Sequence, residues 1–167
     1  MGTTIYYLLT AEESRGKIHR NLSQVAYSYS ACHDVQGLTI MLDQTMHVLH
    51  QGRATYTLVH PPKTPSEGPR VEHITMGTDA AAGEVRQLLV GDSWKMSEIP
   101  KEDLAKVAAG EISKDEVGCL ITEVVVPGFD WHDHAFLTQG GLEELFKGRE
   151  NGEKWVKELA PHIRQDN

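Results

Sequence analysis

A chain of 167 residues, 40% hydrophobic and 24% charged, has the size of one globular domain and too many apolar residues to be intrinsically disordered. Its formal net charge of −8, with lysines and arginines scattered along the chain, argues against nucleic acid or an anionic membrane as a partner. The two cysteines lack zinc-site or disulfide spacing and the N-terminus lacks a signal-peptide pattern, so we expect a cytosolic protein.

Short apolar or alternating runs separated by turn signals predict an all-β sandwich or barrel. In chain order, strands are expected over residues 5–9, 16–20, 45–50, 53–60, 71–76, 85–90, 94–99 and 117–126. Gln51-Gly52 between the third and fourth runs predicts a hairpin, while the proline-rich residues 61–70 predict a loop. Residues 71–76 are expected to pair back on this hairpin, and residues 94–99 to pair with 85–90.

Three segments depart from this strand pattern. Residues 23–42 mix Tyr, Ser, Cys, His and Gly without a period, and we interpret them as an atypical insertion. The charged residues 100–116 predict a surface excursion with one or two helical turns. Leucines and aromatic residues at helical spacing predict one or two C-terminal helices. The expected organisation is therefore a barrel over residues 3–140 and a helical tail over 141–167.

The most informative stretch is residues 119–137, CLITEVVVPGFDWHDHAFL. Glu123 interrupts an apolar run, and a lone carboxylate is costly to bury unless a partner compensates it. Side-chain alternation also places His47 and Gln87 among apolar neighbours on their own predicted strands. Each of these strands would then bring one polar group to a common interior, as in a cavity for a small molecule.

His19, His47 and Glu123 are the candidate metal ligands, because histidines with one carboxylate form the facial set of non-haem iron enzymes. No tight His-x-His motif leads into a strand with a carboxylate at the expected offset. The alternative is that the histidines are hydrogen-bonded and Glu123 pairs with Arg20 or Lys95. The His-x-His at residues 132–134 is predicted to lie in a solvated or structural loop.

Glu123 has a further interpretation as a general acid or base whose pKa is raised by apolar neighbours. A salt-bridged structural acid remains open beside it. Trp94 and Lys95 are candidates to stack on or pair with a ligand, and Cys119 is expected to be an inert buried thiol.

The succession IYYLLT, KIHRN, QTMHVLHQGRATYTLVH, GTDAAAGEVRQLLVGDSWKMSEI and ITEVVVPGFDWHDHAFL resembles the Cupin_5 family of the cupin superfamily over most of residues 3–137. The resemblance implies a double-stranded β-helix (jelly-roll) barrel, commonly dimeric, with a pocket open at one end. It places pocket or motif residues at His19, Gln44, His47, Gln87, Trp94, Glu123, Phe129 and Asp130.

The chain differs from that pattern in three ways. Gln44 stands where metal-binding cupins usually have an acid, and Trp94 and Lys95 occupy the second-motif region, which weakens the prediction of an oxygenase. The chain begins almost at IYYLLT, without the N-terminal helix and HPEGG-like segment, as in a truncated gene model or a shortened lineage. Removing residues 24–42 restores the expected spacing, so we interpret them as a lineage-specific insertion or a translated intron.

The sequence thus favours a cupin that binds a small organic metabolite, with metal-independent isomerase, epimerase or cyclase chemistry as the preferred activity. The alternatives are an iron- or manganese-dependent oxygenase and a non-catalytic binding protein or decayed paralogue. No cofactor is expected. The protein is expected to form a homodimer. Glu123 and His47 are the candidate catalytic residues, and the candidate ligand contacts are Tyr7, His19, Gln44, Gln87, Trp94 and Phe129.

Overall fold

The computed structural model describes residues 2–21, 44–62, 64, 67–91, 93–126 and 128–164, with Gln44 described by its backbone alone. The insertion expected at 23–42 lies outside the described residues. The described strands are β1 (Thr3–Thr10), β2 (His19–Asn21), β3 (Gln44–Gly52), β4 (Ala54–His60), β5 (Arg70–Met76), β6 (Gln87–Leu89), β7 (Trp94–Glu98), β8 (Gly118–Val126) and β9 (His134–Phe136). The described α-helices are α1 (Lys101–Ala108), α2 (Gln139–Phe146) and α3 (Gly152–Leu159).

The strands form two antiparallel sheets that face each other. One has the strand order β1-β8-β3-β6 and the other β5-β4-β7-β2-β9. This architecture confirms the predicted all-β jelly roll with a few C-terminal helices. In the four-stranded sheet β8 runs between β1 and β3, so Glu123 lies directly opposite Ile5 on one side and His47 on the other.

The prediction of a hairpin at Gln51-Gly52 is wrong, because β3 pairs with β6 and β8 whereas β4 pairs with β5 and β7 in the other sheet. The turn itself is present and requires glycine. Gly52 has φ 81°, a left-handed conformation, and a Cβ there would overlap the carbonyl oxygen of Gly118 on β8. The turn thereby fixes where β3 leaves one sheet and β4 enters the other.

The prediction that residues 94–99 pair with 85–90 is wrong. β7 pairs with β4 and β2, whereas β6 pairs with β3 in the other sheet. The segment between them turns at Gly91, which has φ 63°. Local alternation predicts which side chains share a face but carries no information about which strand lies alongside.

Apolar side chains form two separate cores. The inner core lies between the sheets and includes Leu9, Tyr56 and Leu58. The outer core lies on the far side of the five-stranded sheet, beneath α2 and α3, and includes Trp94 and Leu142. The C-terminal helices therefore stabilise the sheet from outside and leave the space between the sheets to other side chains.

The charged segment predicted over residues 100–116 contains α1, and Arg53 binds the acidic side chains of this helix at the surface. Its guanidinium pairs with Glu84, Glu102 and Asp103, which ties α1 to the turn between β3 and β4. None of the helices in the described ranges has the length and apolar character needed to span a bilayer.

Candidate active site

Glu123 is the centre of a buried polar cluster between the sheets. Lys95 Nζ, from β7 in the opposite sheet, donates a hydrogen bond to Glu123 Oε1, and Asn21 Nδ2 from β2 donates to the same oxygen at 2.9 Å. Lys95 is 1% exposed and Glu123 7%. Of the two partners predicted for Glu123, Lys95 and Arg20, the structure shows the pair with Lys95. This ion pair compensates the cost of burying the carboxylate.

His47 completes this cluster from β3. Its Nε2 lies 3.0 Å from Lys95 Nζ and 3.5 Å from Glu123 Oε2, and its Nδ1 lies 2.9 Å from the Tyr56 hydroxyl. Because an ammonium group only donates, His47 Nε2 accepts and Nδ1–H donates to Tyr56. Burial also lowers the pKa of His47, so the imidazole is neutral at pH 7.

The pKa of Glu123 is lowered, which agrees with the salt-bridged acid and not with the alternative prediction that apolar neighbours raise it. Burial does raise the pKa of this carboxyl, but the contact with His47 and the positive charge and hydrogen bond of Lys95 outweigh burial. Burial lowers the pKa of Lys95, and the carboxylate opposes that shift. The prediction was wrong because it counted the apolar neighbours along β8 and not the cation that arrives from the facing sheet.

His19 lies next to this cluster as an unprotonated imidazole. Its Nδ1 donates to the backbone carbonyl of Lys17 at 2.8 Å, which makes Nε2 the acceptor of the neutral ring. Burial, followed by the positive charge of Lys95, lowers the pKa of His19 to about 4. His19 therefore offers a lone pair for a proton at neutral pH.

Two adjoining cavities share His19, Glu123 and Ile5 as lining. The inner cavity, of about 100 Å³, has further polar residues in its lining: Tyr7, His47, Tyr56, Lys95 and Ser97. The vestibule, of about 150 Å³, is more apolar, and its lining includes Thr3, Asn21, Val125, Phe129, Trp131 and His134. Typical ligand pockets hold about 300–1,000 Å³, so these cavities suit a small molecule.

The two histidines of the His-x-His motif at residues 132–134 lie in different environments. His132 has a side chain 93% exposed and pairs with Asp130 at 2.7 Å, as a solvated loop predicts. His134 instead begins β9, lines the vestibule and lies with Nδ1 2.8 Å from Asn21 Oδ1. A strand of three residues is too short for its alternation to be recognised in the sequence. Asp130 is exposed and does not line either cavity.

Gln87 and Trp94 are not in the cavities, so their predicted placement is wrong. In β6 the buried residue is Leu88, opposite His47, and Gln87 is exposed on the outer face. Trp94 lies in the outer core with the guanidinium of Arg20 4.2 Å from its ring centroid. In both strands the next residue along the chain, Leu88 in β6 and Lys95 in β7, is the one that faces the space between the sheets. Tyr7 and Phe129 do line the cavities, and the side chain of Gln44 lies outside the described part of the chain.

The cluster does not have the arrangement of a metal centre. In the described ranges, no three His, Cys, Asp or Glu side chains are placed to hold one ion. Lys95 Nζ contacts both His47 and Glu123, two of the three predicted ligands, and thereby occupies the position between them. A divalent cation would have to displace that ammonium group, so these residues do not fit a metal in this conformation.

Comparison with known proteins identifies relatives of the same fold. The model of the Cupin_5 family, described as "Cupin superfamily (DUF985)", matches residues 1–137. An uncharacterized protein of Saccharomyces cerevisiae, YML079W, is 34% identical over 145 residues, which are 86% of this chain and 53% of the yeast protein. The chain thus spans about half the length of this curated relative.

Two solved structures resemble the chain at low sequence identity. Protein SO0799 of Shewanella oneidensis is 19% identical with a TM-score of 0.63, and the match covers 99% of this chain and 76% of that one. A dTDP sugar isomerase of Desulfovibrio desulfuricans G20 is 11% identical with a TM-score of 0.50, covering 81% of this chain and 63% of that one. At these identities the likeness concerns the fold alone.

Proposed function

This chain belongs to the Cupin_5 family of the cupin superfamily, and from that premise we propose that it binds a small organic molecule in the paired cavities and moves a proton on it without a metal. Isomerisation, epimerisation and cyclisation are reactions of this kind. The domain carrying this activity is the barrel over residues 3–140.

The observation that carries the proposal is a neutral histidine beside a buried ion pair. His19 has its Nδ1 committed to the Lys17 carbonyl, and its Nε2 is the basic atom of a ring that lines both cavities. Its pKa of about 4 leaves it unprotonated at neutral pH. A general base needs a fixed orientation and a free lone pair, and negative charge that develops on the substrate beside His19 raises the low pKa of this ring during the transfer.

Lys95 supplies the complementary electrostatics. When His19 takes a proton from a carbon next to a carbonyl, negative charge develops on the carbonyl oxygen. An ammonium group held in a water-poor interior stabilises such a charge more than it would in water. Glu123 and His47, the two residues favoured from the sequence, contact Lys95 and are proposed to hold it in place. The proton then returns from His19 to the neighbouring carbon, on the face from which it was taken, as in an isomerisation. Epimerisation would in addition need a second acid on the opposite face of the carbon.

Deuterium incorporation tests this proposal with whole metabolite mixtures, so the substrate need not be identified first. Protein-free metabolite extract is incubated in D₂O with the wild type, with His19→Gln or with His132→Gln, and then analysed by mass spectrometry. We expect at least one metabolite to gain deuterium with the wild type and with His132→Gln, whose side chain is exposed, but not with His19→Gln. Identical labelling by all three proteins, or by none, would contradict proton transfer at His19.

The shared fold with a sugar isomerase agrees with this class of reaction but identifies no substrate, because one fold hosts many chemistries. Two measurements address the alternatives. Stoichiometric iron or manganese that resists chelation in purified protein would favour an oxygenase. A ligand that binds equally well to wild type and Glu123→Gln, with no conversion by either, would favour a non-catalytic binding protein.

We further propose that the protein is a cytosolic homodimer that associates through the outer face of the four-stranded sheet. This face exposes large apolar side chains: Tyr6, Leu8, Met46, Leu89 and Val126. Among its described strand residues, none that points outward is Asp, Glu, Lys or Arg. A charge-free apolar face is best covered by another of the same kind, as in a two-fold dimer. Light scattering is expected to report a dimer for the wild type and a monomer for Leu8→Lys/Leu89→Lys; a monomeric wild type would contradict this.

A further inference from the structure

The wall of the vestibule contains two histidines whose tautomers the protein itself fixes. His19 and His134 lie side by side with ring centroids 5.3 Å apart. The carbonyl oxygen of Lys17 can only accept, so His19 donates from Nδ1. Asn21 directs its amide N–H to the Glu123 carboxylate and therefore turns Oδ1 towards His134, which also donates from Nδ1.

Both histidines therefore carry an unprotonated Nε2. In the part of the chain that the structure describes, the hydrogen bonds of these two rings are made by Nδ1 alone. Burial lowers the pKa of both imidazoles, and the charge of Lys95 lowers them further. At neutral pH the vestibule thus offers two neighbouring acceptors, and a ligand that satisfies them has to bring two donors.

The size and walls of the vestibule restrict the body of that ligand. An apolar cavity of about 150 Å³ holds one benzene molecule, and the vestibule has the same volume. The rings of Phe129 and Trp131 are 4.9 Å apart on its wall, and aromatic faces and edges pack well against a flat ring. Trp131 is 74% exposed, so this wall lies on the solvent side of the cavity.

The charge of the site restricts the ligand further. Lys95, the cation nearest the cavities, already pairs with Glu123. An anionic ligand in the vestibule would face the lone pairs of two imidazoles and the Glu123 carboxylate. The other cation whose charge reaches His134, Arg164, stacks on the ring of Phe136 and does not line the cavity. A carboxylate or phosphate group is therefore a poor match, whereas hydroxyl and N–H groups fit.

We propose that the vestibule selects an uncharged six-membered ring whose edge donates two hydrogen bonds, one to Nε2 of His19 and one to Nε2 of His134. The flat face of the ring contacts Phe129 and Trp131. This inference rests on the proposed function and deepens it, because it states the chemical class of the molecule on which His19 acts. The donor that meets Nε2 of His19 is the O–H or N–H of the enol or enamine form, and His19 passes that proton to carbon in the reverse of the step described above.

Matched ring compounds test the inference on the wild-type protein. The probes are 1,3-dihydroxybenzene, its dimethyl ether, which keeps the ring but has no donor, and 3,5-dihydroxybenzoate, which keeps both donors and adds a negative charge. A hydrogen bond between neutral groups changes Kd by about two- to tenfold, so two of them are expected to favour the dihydroxy compound by about tenfold over the ether. The anion is expected to bind more weakly than the dihydroxy compound. Titration calorimetry at pH 7.5 measures all three.

Variants test whether His19 and His134 are the two hydrogen-bond acceptors. His134→Phe and His19→Phe keep an aromatic ring and remove the acceptor, so each is expected to reduce the preference for the dihydroxy compound about threefold. His132→Phe, at an exposed neighbouring position, is the control and is expected to keep the full preference. The wild-type comparison alone remains decisive if a variant fails to fold.

Equal binding of the dihydroxy compound and its ether, tighter binding of the anion, or no binding of any ring would overturn the inference. These results would leave the proposed function standing, because deuterium incorporation from whole extract makes no assumption about the ligand. A preference that survives both His19→Phe and His134→Phe would likewise overturn the assignment of the acceptors.

Discussion

Two neighbouring residues of β7 point into two interiors of opposite character. Trp94 enters the outer core beneath α2 and α3, while Lys95 enters the space between the sheets and meets Glu123 and His47. Both are nearly inaccessible, at 8% and 1% exposed. Replacing a buried ion pair by hydrocarbon is often neutral or stabilising, so stability alone does not account for the polar interior. The contrast agrees with our proposal that the two apolar cores hold the fold together and that the polar cluster around Glu123 serves a ligand.

The largest expected effect comes from breaking the inner ion pair. Lys95→Met keeps the volume of the side chain but leaves the Glu123 carboxylate buried without its cation. Removing one partner of a buried pair typically costs about 3–5 kcal/mol of unfolding free energy. Urea denaturation at pH 7 measures this loss.

A double variant separates charge from packing in the same experiment. Lys95→Met/Glu123→Leu removes both charges and is expected to recover most of the lost stability, because no isolated charge remains. If Lys95→Met unfolds at the same urea concentration as the wild type, the two groups do not form an ion pair in solution.

The outer core gives the matching test of a purely structural region. Leu142 is fully buried there, and Leu142→Ala is expected to cost about 3 kcal/mol through lost apolar contact and the cavity left behind. Urea denaturation measures it, and the affinity of the folded variant for 1,3-dihydroxybenzene should equal that of the wild type. A large change in affinity at full folding would show that the two interiors are coupled.

A smaller effect is expected in the pH dependence of stability. The pKa of His19 is about 4 in the folded protein and near 6.5 when unfolded, so the unfolded chain takes up the proton first. The free energy of unfolding is therefore unaffected by this group above pH 6.5 and falls as pH decreases from about 6.5 to 4.

His19→Gln isolates that contribution. His47, His134 and His162 also have lowered pKa values, but they are present in both proteins and cancel in the comparison. The variant should lose stability less steeply over this window, by up to about 1.4 kcal/mol per pH unit. Parallel curves from denaturation at pH 7, 6, 5 and 4.5 would show that His19 titrates normally in the folded state.

The smallest effect is expected at the exposed histidine of the same motif. His132 pairs with Asp130 in solvent, where water and salt screen the attraction. His132→Gln should unfold at the wild-type urea concentration and keep the wild-type ligand preference. A measurable loss of either would erase the distinction between His132 and His134.

Much of the fold followed from the sequence, because strands with one buried face leave an alternating pattern. The burial of Glu123 and His47 and the glycine turn at Gly52 were predicted from such local signals. The pairing of β7 was not, since it depends on which strands the connections bring together. The prediction that Gln87 faces the interior was also wrong. The strand β6 consists of Gln87, Leu88 and Leu89 alone, and three residues are too few for alternation to show that the polar one lies on the outer face.

The site was predictable only in outline for a related reason. The sequence indicates that Glu123 is a buried acid that needs a partner, and Lys95 is one of the two cations predicted to pair with it. Lys17 and Asn21 lie within two residues of His19 in the sequence, but a backbone carbonyl and a single amide form no pattern that reveals their role. Lys95, Glu123 and His134 reach the site from other strands. A raised pKa and a salt-bridged acid both stayed open for Glu123, because the sequence does not show that the charge of Lys95 acts from the facing sheet.

Nitrogen-15 NMR of histidine-labelled protein tests the central claim most directly, with the His19→Gln spectrum assigning the resonance. The account predicts that His19 carries its proton on Nδ1 at pH 7, keeps Nε2 unprotonated, and becomes charged only near pH 4. A proton on Nε2 at pH 7, or a midpoint near the ordinary pKa of about 6.5, would contradict it.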